Sequence, residues 1–180
     1  MATVNITPDS TVSNDWTISG GSGTVHQNLA DSVDNSYIYT IDQNDVAIVT
    51  LLNSSSYASP ATIDSIRFYI RGSYTNTRGG NTDIQVILTD ASASTYYAET
   101  ITLNFQAGYA PEDHYGTART TSDGSTAWTS SDIDGLRLNI NTSPEDPSGS
   151  TRAQVTKAYI EVTYTAGAVT DNSVFFGCNF

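Results

Sequence analysis

The residues able to do chemistry in this chain are few and scattered. Its two histidines are His26 and His114, and a serine hydrolase would need one of them as general base beside a Ser and an acid. Serine is abundant, so such trios arise by chance, and no G-x-S-x-G turn accompanies either histidine. Glycoside hydrolysis would need two carboxylates flanking a sugar. Glu99 and Glu161 fall on strand-patterned segments and Glu112 in a long loop, yet nineteen acids make any one pair unremarkable. Asp31 with Asp34, or Asp132 with Asp134, could offer oxygens to calcium. Neither pair follows the spacing of an EF-hand loop, and turns and helix caps use the same acids without metal. The single cysteine, Cys178, excludes an internal disulfide and a thiolate zinc cage. The chain reads as non-enzymatic, with no cofactor and no metal.

Aromatic rings are the next resource. Eleven tyrosines and two tryptophans are potential stacking platforms for sugars, and Tyr109, Tyr115 and Trp128, near the longest irregular stretch, are the candidate glycan-binding residues. Tyr69, Tyr159 and Tyr164 belong to strand faces, where cross-strand packing needs them. At the carboxyl end, Val174, Phe175, Phe176 and Phe180 follow a Gly/Ala hinge and are candidate partner-binding residues. Two roles stay open for residues 166–180: a last short strand over their own sheet, or an arm docked on a neighbour.

The elements that must position these groups are strands. From Lys157 to Tyr164, Ala158, Ile160, Val162 and Tyr164 take one face while Lys157, Tyr159, Glu161 and Thr163 take the other, the period of a strand with one buried face. Before Lys157 the parity slips, since Val155 sits three residues ahead of Ala158. Ala61 to Tyr74 repeats this grammar, with a three-residue step from Ile63 to Ile66 and then Phe68 and Ile70 alternating. Both slips predict a bulge or bend on entry to a long core strand, and their echo suggests equivalent places in two sheets. Val46 to Leu52 is apolar at both parities and is expected to be buried on both faces or to lie beneath a loop. Thr3 to Thr7 reads as a short strand stopped by Pro8, residues 106–125 as an irregular loop, and Thr129 to Gly135 as one capped helical turn. About eight strands joined by Gly, Asp and Ser turns, with no helix of useful length, predict an all-β antiparallel sandwich, with a jelly roll as its topology. Residues 1–165 form the single domain and 166–180 its tail.

Composition narrows the class of partner. A net charge of −12 and a pI near 4.1 oppose a nucleic-acid partner, which draws on clustered Lys and Arg. The opening residues lack the basic and apolar regions of a signal peptide, and no apolar run reaches membrane-spanning length. Synthesis in a cytoplasm is the expectation.

Several motifs together resemble a domain frequent among structural proteins of tailed bacteriophages. They are Trp128-Thr129, Asp132 to Leu138, Arg152 and Ala158 to Tyr164, joined by Leu29 to Asp31, Asp34, Ser36 to Ile38 and Ile63 to Arg67. The resemblance spans roughly Leu29 to Tyr164, and none of its residues is catalytic. It implies a jelly-roll-like virion protein made in the host cytoplasm, a cement or decoration protein on the capsid surface. Its implied partners are the major capsid protein and further copies of itself, often as a trimer. The competing reading is a carbohydrate-binding module of a tail or fibre.

Overall fold

The computed structural model describes residues 1–21, 23–30, 34–42, 44–51, 61–75, 81–104, 110–142 and 152–167. They form eleven strands and two short helices: β1 (Ala2–Ile6), β2 (Pro8–Asn14), β3 (Thr17–Ser19), α1 (Val25–Ala30), β4 (Tyr37–Thr40), β5 (Val46–Leu51), β6 (Ala61–Thr75), β7 (Asn81–Thr89), β8 (Thr95–Asn104), β9 (Glu112–Tyr115), α2 (Ser130–Asp134), β10 (Arg137–Thr142) and β11 (Arg152–Ala166). One sheet runs β3-β4-β11-β6-β9, with β1 also paired to β11; the other runs β2-β5-β10-β7-β8. Every pairing is antiparallel. From β4 onward the chain crosses between the sheets so that β4-β11-β6-β9 faces β5-β10-β7-β8, the strand order of a jelly roll. The predicted sandwich is what the chain adopts.

The two long strands are neighbours, which corrects the expectation that they occupy equivalent places in different sheets. β6 and β11 pair along nearly their whole length, with Ile66 opposite Val162, Phe68 opposite Ile160 and Ile70 opposite Ala158. All six side chains are fully buried. The two parity slips are bulges in this one ladder. Thr156 is left over between Val155↔Gly72 and Lys157↔Arg71, and Asp64 between Thr163↔Ser65 and Tyr164↔Ile63. Each extra residue finds its own partner: the Thr156 hydroxyl donates to the Arg71 carbonyl at 3.2 Å, and the Asp64 carboxylate accepts from Thr165 at 2.8 Å.

Three further expectations change. Pro8 opens β2 instead of stopping β1, which an edge strand tolerates because proline's missing N–H breaks no central ladder. β5 alternates, with Ala47, Val49 and Leu51 buried and Val46, Ile48 and Thr50 half-buried on the outward side. Residues 106–125 are not wholly irregular, since Glu112–Tyr115 pairs with β6 as an edge strand. Beyond it, Arg119 exchanges backbone hydrogen bonds with Ile66 at 2.8 and 2.9 Å, and Gly116 packs so close to Phe68 that a Cβ there would lie 2.4 Å from the ring. The expected helical turn is α2, where Thr129 and Asp132 form a reciprocal capping box.

Candidate functional site

The outward face of the six-stranded sheet carries a connected cluster of aromatic and charged side chains. Strand parity and pairing build it. With Phe68, Ile70 and Ile160 turned inward, Tyr69 and Tyr159 must point outward, and the register sets Tyr159 opposite Tyr69 and Tyr69 opposite Tyr115. Three tyrosines thus line up across β11, β6 and β9. The rings of Tyr69 and Tyr159 stack at 4.3 Å with an interplanar angle of 17°, and Tyr115 meets Tyr69 edge-on at 5.0 Å. Tyr69 and Tyr159 are only 6% and 8% exposed although they face outward, whereas Tyr115 is 48% exposed.

Charged residues bracket the ladder on both sides. On one, Arg67 bonds Glu161 at 2.6 Å and lies 4.5 Å from the centre of the Tyr115 ring, a cation–π placement. On the other, Arg71 forks onto both oxygens of Asp34 at 2.8 and 2.9 Å and reaches Asp113 at 2.6 Å. Asp113 also accepts from the Tyr69 hydroxyl at 2.8 Å. The Arg71 guanidinium holds the Asp34 and Asp113 carboxyls below the ordinary carboxylate range. Desolvation raises the phenols, Tyr159 to about 12 and Tyr69 further still, with the bond to Asp113 adding to the latter. In the core, desolvation pushes Tyr97 up to about 12 as well.

These shifts set a pH window. A tyrosine whose folded pKa lies above its unfolded value of 10.0 stabilises the fold fully below pH 10 and loses that contribution as pH climbs through the folded value. Asp34 and Asp113 act with the opposite sense, contributing above their unfolded pKa of 3.8 and losing the contribution as pH falls. His114, lowered by burial from 6.5, likewise favours the fold above that pH. The melting temperature is therefore expected to decline from pH 10 upward. In a spectrophotometric titration, the late-ionising phenols should appear together with unfolding. Eleven tyrosines ionising in a single step near pH 10 without unfolding would contradict the packing described.

The sequence-predicted residues are distributed differently from expectation. Trp128 is not a platform for a sugar. It is 4% exposed, its indole N–H donates to the Arg119 carbonyl at 3.0 Å, and its ring packs edge-on against Tyr96 at 5.2 Å. Tyr115 is accessible, but on β9 of the tyrosine ladder instead of in a loop. Tyr109, Val174, Phe175, Phe176 and Phe180 lie outside the described residues, as do Asp31 and Cys178.

Most of the described groups weighed for catalysis and metal binding have other partners. His26 on α1 meets the hydroxyls of Thr24 at 2.7 Å and Thr11 at 3.0 Å, whereas His114 sits on the edge strand β9 with its Nε2 buried and unpartnered. Glu161 is paired with Arg67, Glu99 accepts from the Thr117 N–H at 2.9 Å, and Glu112 accepts from Asn104 at 3.2 Å. Asp132 serves the helix cap. Among the described residues no group of three or more His, Cys, Asp or Glu is placed to hold a metal ion.

Sequence reasoning named Tyr69 and Tyr159 as strand-face residues but did not assemble them with Tyr115, Arg67 and Arg71. The available signal was that both tyrosines occupy the outward parity of the two long strands.

No protein-family model matches the chain, and no curated protein matches it. Among solved structures, the chain is similar to the arabinose-bound MgGH51 α-L-arabinofuranosidase at a TM-score of 0.49 and 5% identity, over 85% of this chain and 23% of that one. It is similar to the Agl-KA catalytic domain at 0.47 and 12%, over 97% of this chain and 30% of that one. It is also similar to PfGH50B at 0.44 and 10%, over 85% of this chain and 23% of that one. The chain thus spans less than a third of each of these proteins.

Proposed function

We propose that this chain is a non-enzymatic virion structural protein, a cement or decoration protein on the outer surface of a tailed-phage head. In this reading it attaches to the major capsid protein through the tyrosine–arginine face of the six-stranded sheet. One observation carries the proposal: Tyr69 and Tyr159 are already stacked and packed on an outward face, with Tyr115 and Arg67 standing beside them. Tyr and Arg are the side chains most enriched at the energetic centres of protein interfaces. Holding them rigid before contact reduces the ordering entropy that association costs. The resemblance to phage structural proteins points the same way, and a net charge of −12 suits the outside of a shell better than its DNA-filled interior.

The same geometry disfavours sugar stacking at this face. Tyr69 and Tyr159 turn their ring faces toward each other, and one face of Tyr115 lies under Arg67. A pyranose needs an open ring face, and at Tyr69 and Tyr159, 6% and 8% exposed, none is free.

The test is reconstitution. Purified protein added to heads lacking it should co-sediment saturably, and Tyr115→Ala or Arg67→Ala should each weaken binding by about tenfold or more. Undiminished binding by both variants would remove this face as the attachment surface. Failure of the unaltered protein to bind heads, together with a specific glycan-array signal lost in Tyr115→Ala, would favour the carbohydrate-binding reading.

A further inference from the structure

Strand parity puts His114 on the inner side of the edge strand β9. Asp113 and Tyr115 point outward with Arg71 and Tyr69, so His114 shares the inward side with Ile70, its fully buried partner in register. The imidazole is half-buried, and its Nε2 is enclosed without a hydrogen-bond partner. The acids around it are committed elsewhere. Glu112 accepts from Asn104 of β8 at 3.2 Å, and Asp113 accepts from Arg71 and Tyr69 on the outward face. Glu99 of β8 accepts from the Thr117 N–H at 2.9 Å and its hydroxyl at 3.3 Å. Of the cations, Arg71 stays outward between Asp34 and Asp113, and Arg119 lies over the Tyr97 ring. The inward positions of β6 beside His114 are Phe68, Ile70 and Gly72, and those of β8 are Ile101 and Leu103.

A neutral imidazole suits these surroundings and a charged one does not, because burying a charge without a partner is costly. Desolvation outweighs the pull of Glu112 and Asp113 and holds the group below 6.5. The sign follows: as pH falls through 6.5, the proton is taken up more readily where His114 has left its packed position. β9 is also the element that can yield. It is four residues long, pairs with β6 on one side only, and follows Pro111, which has no N–H. Short edge segments open more easily than central ladders. Beyond it, the Arg119–Ile66 bonds and the Trp128–Arg119 bond tie the next residues to β6 and confine an opening to the strand itself.

We propose that β9 is a pH-released edge strand: in mildly acidic solution, protonation of His114 frees Glu112–Tyr115 from β6 while the rest of the sandwich stays folded. Release takes Tyr115 off the edge of Tyr69 and out from under Arg67, and separates Asp113 from Arg71 and Tyr69. The tyrosine ladder is thereby taken apart at its exposed end. That acid also weakens shell attachment rests on the reading of this face given above; the release of β9 does not.

Amide hydrogen exchange of the full chain at pH 7.5 and 5.5, corrected for the intrinsic pH dependence of exchange, tests this without heads. Its failure is therefore distinct from failure of the attachment reading. The reporters are the amides of β9 and that of Gly116, which donates to the Phe68 carbonyl at 3.0 Å. At pH 5.5 a released imidazole of ordinary pKa 6.5 is about tenfold more protonated than neutral. Protection of these amides should therefore fall by about three- to tenfold, while the β6–β11 ladder keeps its own. His114→Phe and His114→Gln, neither of which can take up a proton, should each abolish the difference, and His26→Asn should leave it intact. Protection of β9 that is equal at the two pH values overturns the proposal. So does a loss that persists in whichever His114 variants are folded by circular dichroism, that disappears in His26→Asn instead, or that spreads evenly over the β6–β11 ladder.

Discussion

Phe68→Ala is expected to lower the unfolding free energy by about 3–5 kcal/mol, the range for removing a large aromatic from a packed core. Phe68 is fully buried on the inward face of β6 and stacks against Tyr97 across the sandwich at 6.1 Å. Its ring also fills the space that Gly116 leaves by lacking a Cβ. Collapse of this site is hindered because backbone bounds it on the β9 side, so most of the cavity should persist. The neighbouring substitution is the more informative one. One-sided burial of the strand would make Tyr69→Ala mild, but Tyr69 is 6% exposed and held between Tyr159 and Tyr115. Its loss also leaves Asp113 with one donor fewer. A cost of about 3 kcal/mol is therefore expected. Urea unfolding of both variants checks this, and a Tyr69→Ala loss below about 1 kcal/mol, typical of an ordinary surface site, would show that the ladder contributes little packing.

Trp128→Ala is the second large effect, again about 3–5 kcal/mol. Trp128 lies outside the strands, yet its indole N–H and the Ile66 N–H both donate to the Arg119 carbonyl. The residue thereby ties residues 116–128 to the centre of β6. Besides the lower midpoint, limited proteolysis should cut within that segment sooner than in the unaltered protein. Trp128→Phe keeps most of the apolar area and removes the hydrogen bond, so about 1–3 kcal/mol is expected there. If Trp128→Ala retained full stability and lost only sugar binding, the ring would have to be exposed, contrary to its packing under Tyr96.

Much of the architecture was legible from period alone. Alternation at Lys157 to Tyr164 and Ile66 to Ile70 is a local property of strands, and a three-residue apolar step has few explanations other than a bulge, so both Thr156 and Asp64 left their mark on the sequence. The cap of α2 was readable for the same reason, because Thr129, Asp132 and Gly135 satisfy backbone groups only a few residues away. Pro8, by contrast, was read as a stop because whether a strand is at an edge or in the centre is not local information.

Only the tertiary structure decided which strands are neighbours. The echo between β6 and β11 fits equally well with partners in one sheet and with equivalents in two, since hydrophobic period specifies a face and not an adjacent strand. Everything at the tyrosine ladder follows from that pairing: Tyr69 and Tyr159 stack because residues ninety positions apart meet in register, and Tyr115 joins because an edge strand formed inside a stretch without any period. Trp128 shows the same limit from the other side. Its place near a long loop suggested exposure, but the indole is buried, packed against Tyr96 of β8 and bonded to the Arg119 carbonyl, contacts no local pattern announces. Sequence by itself determined the strands and their inward faces, where burial follows local alternation. The outward faces, where function is proposed, were decided by long-range register.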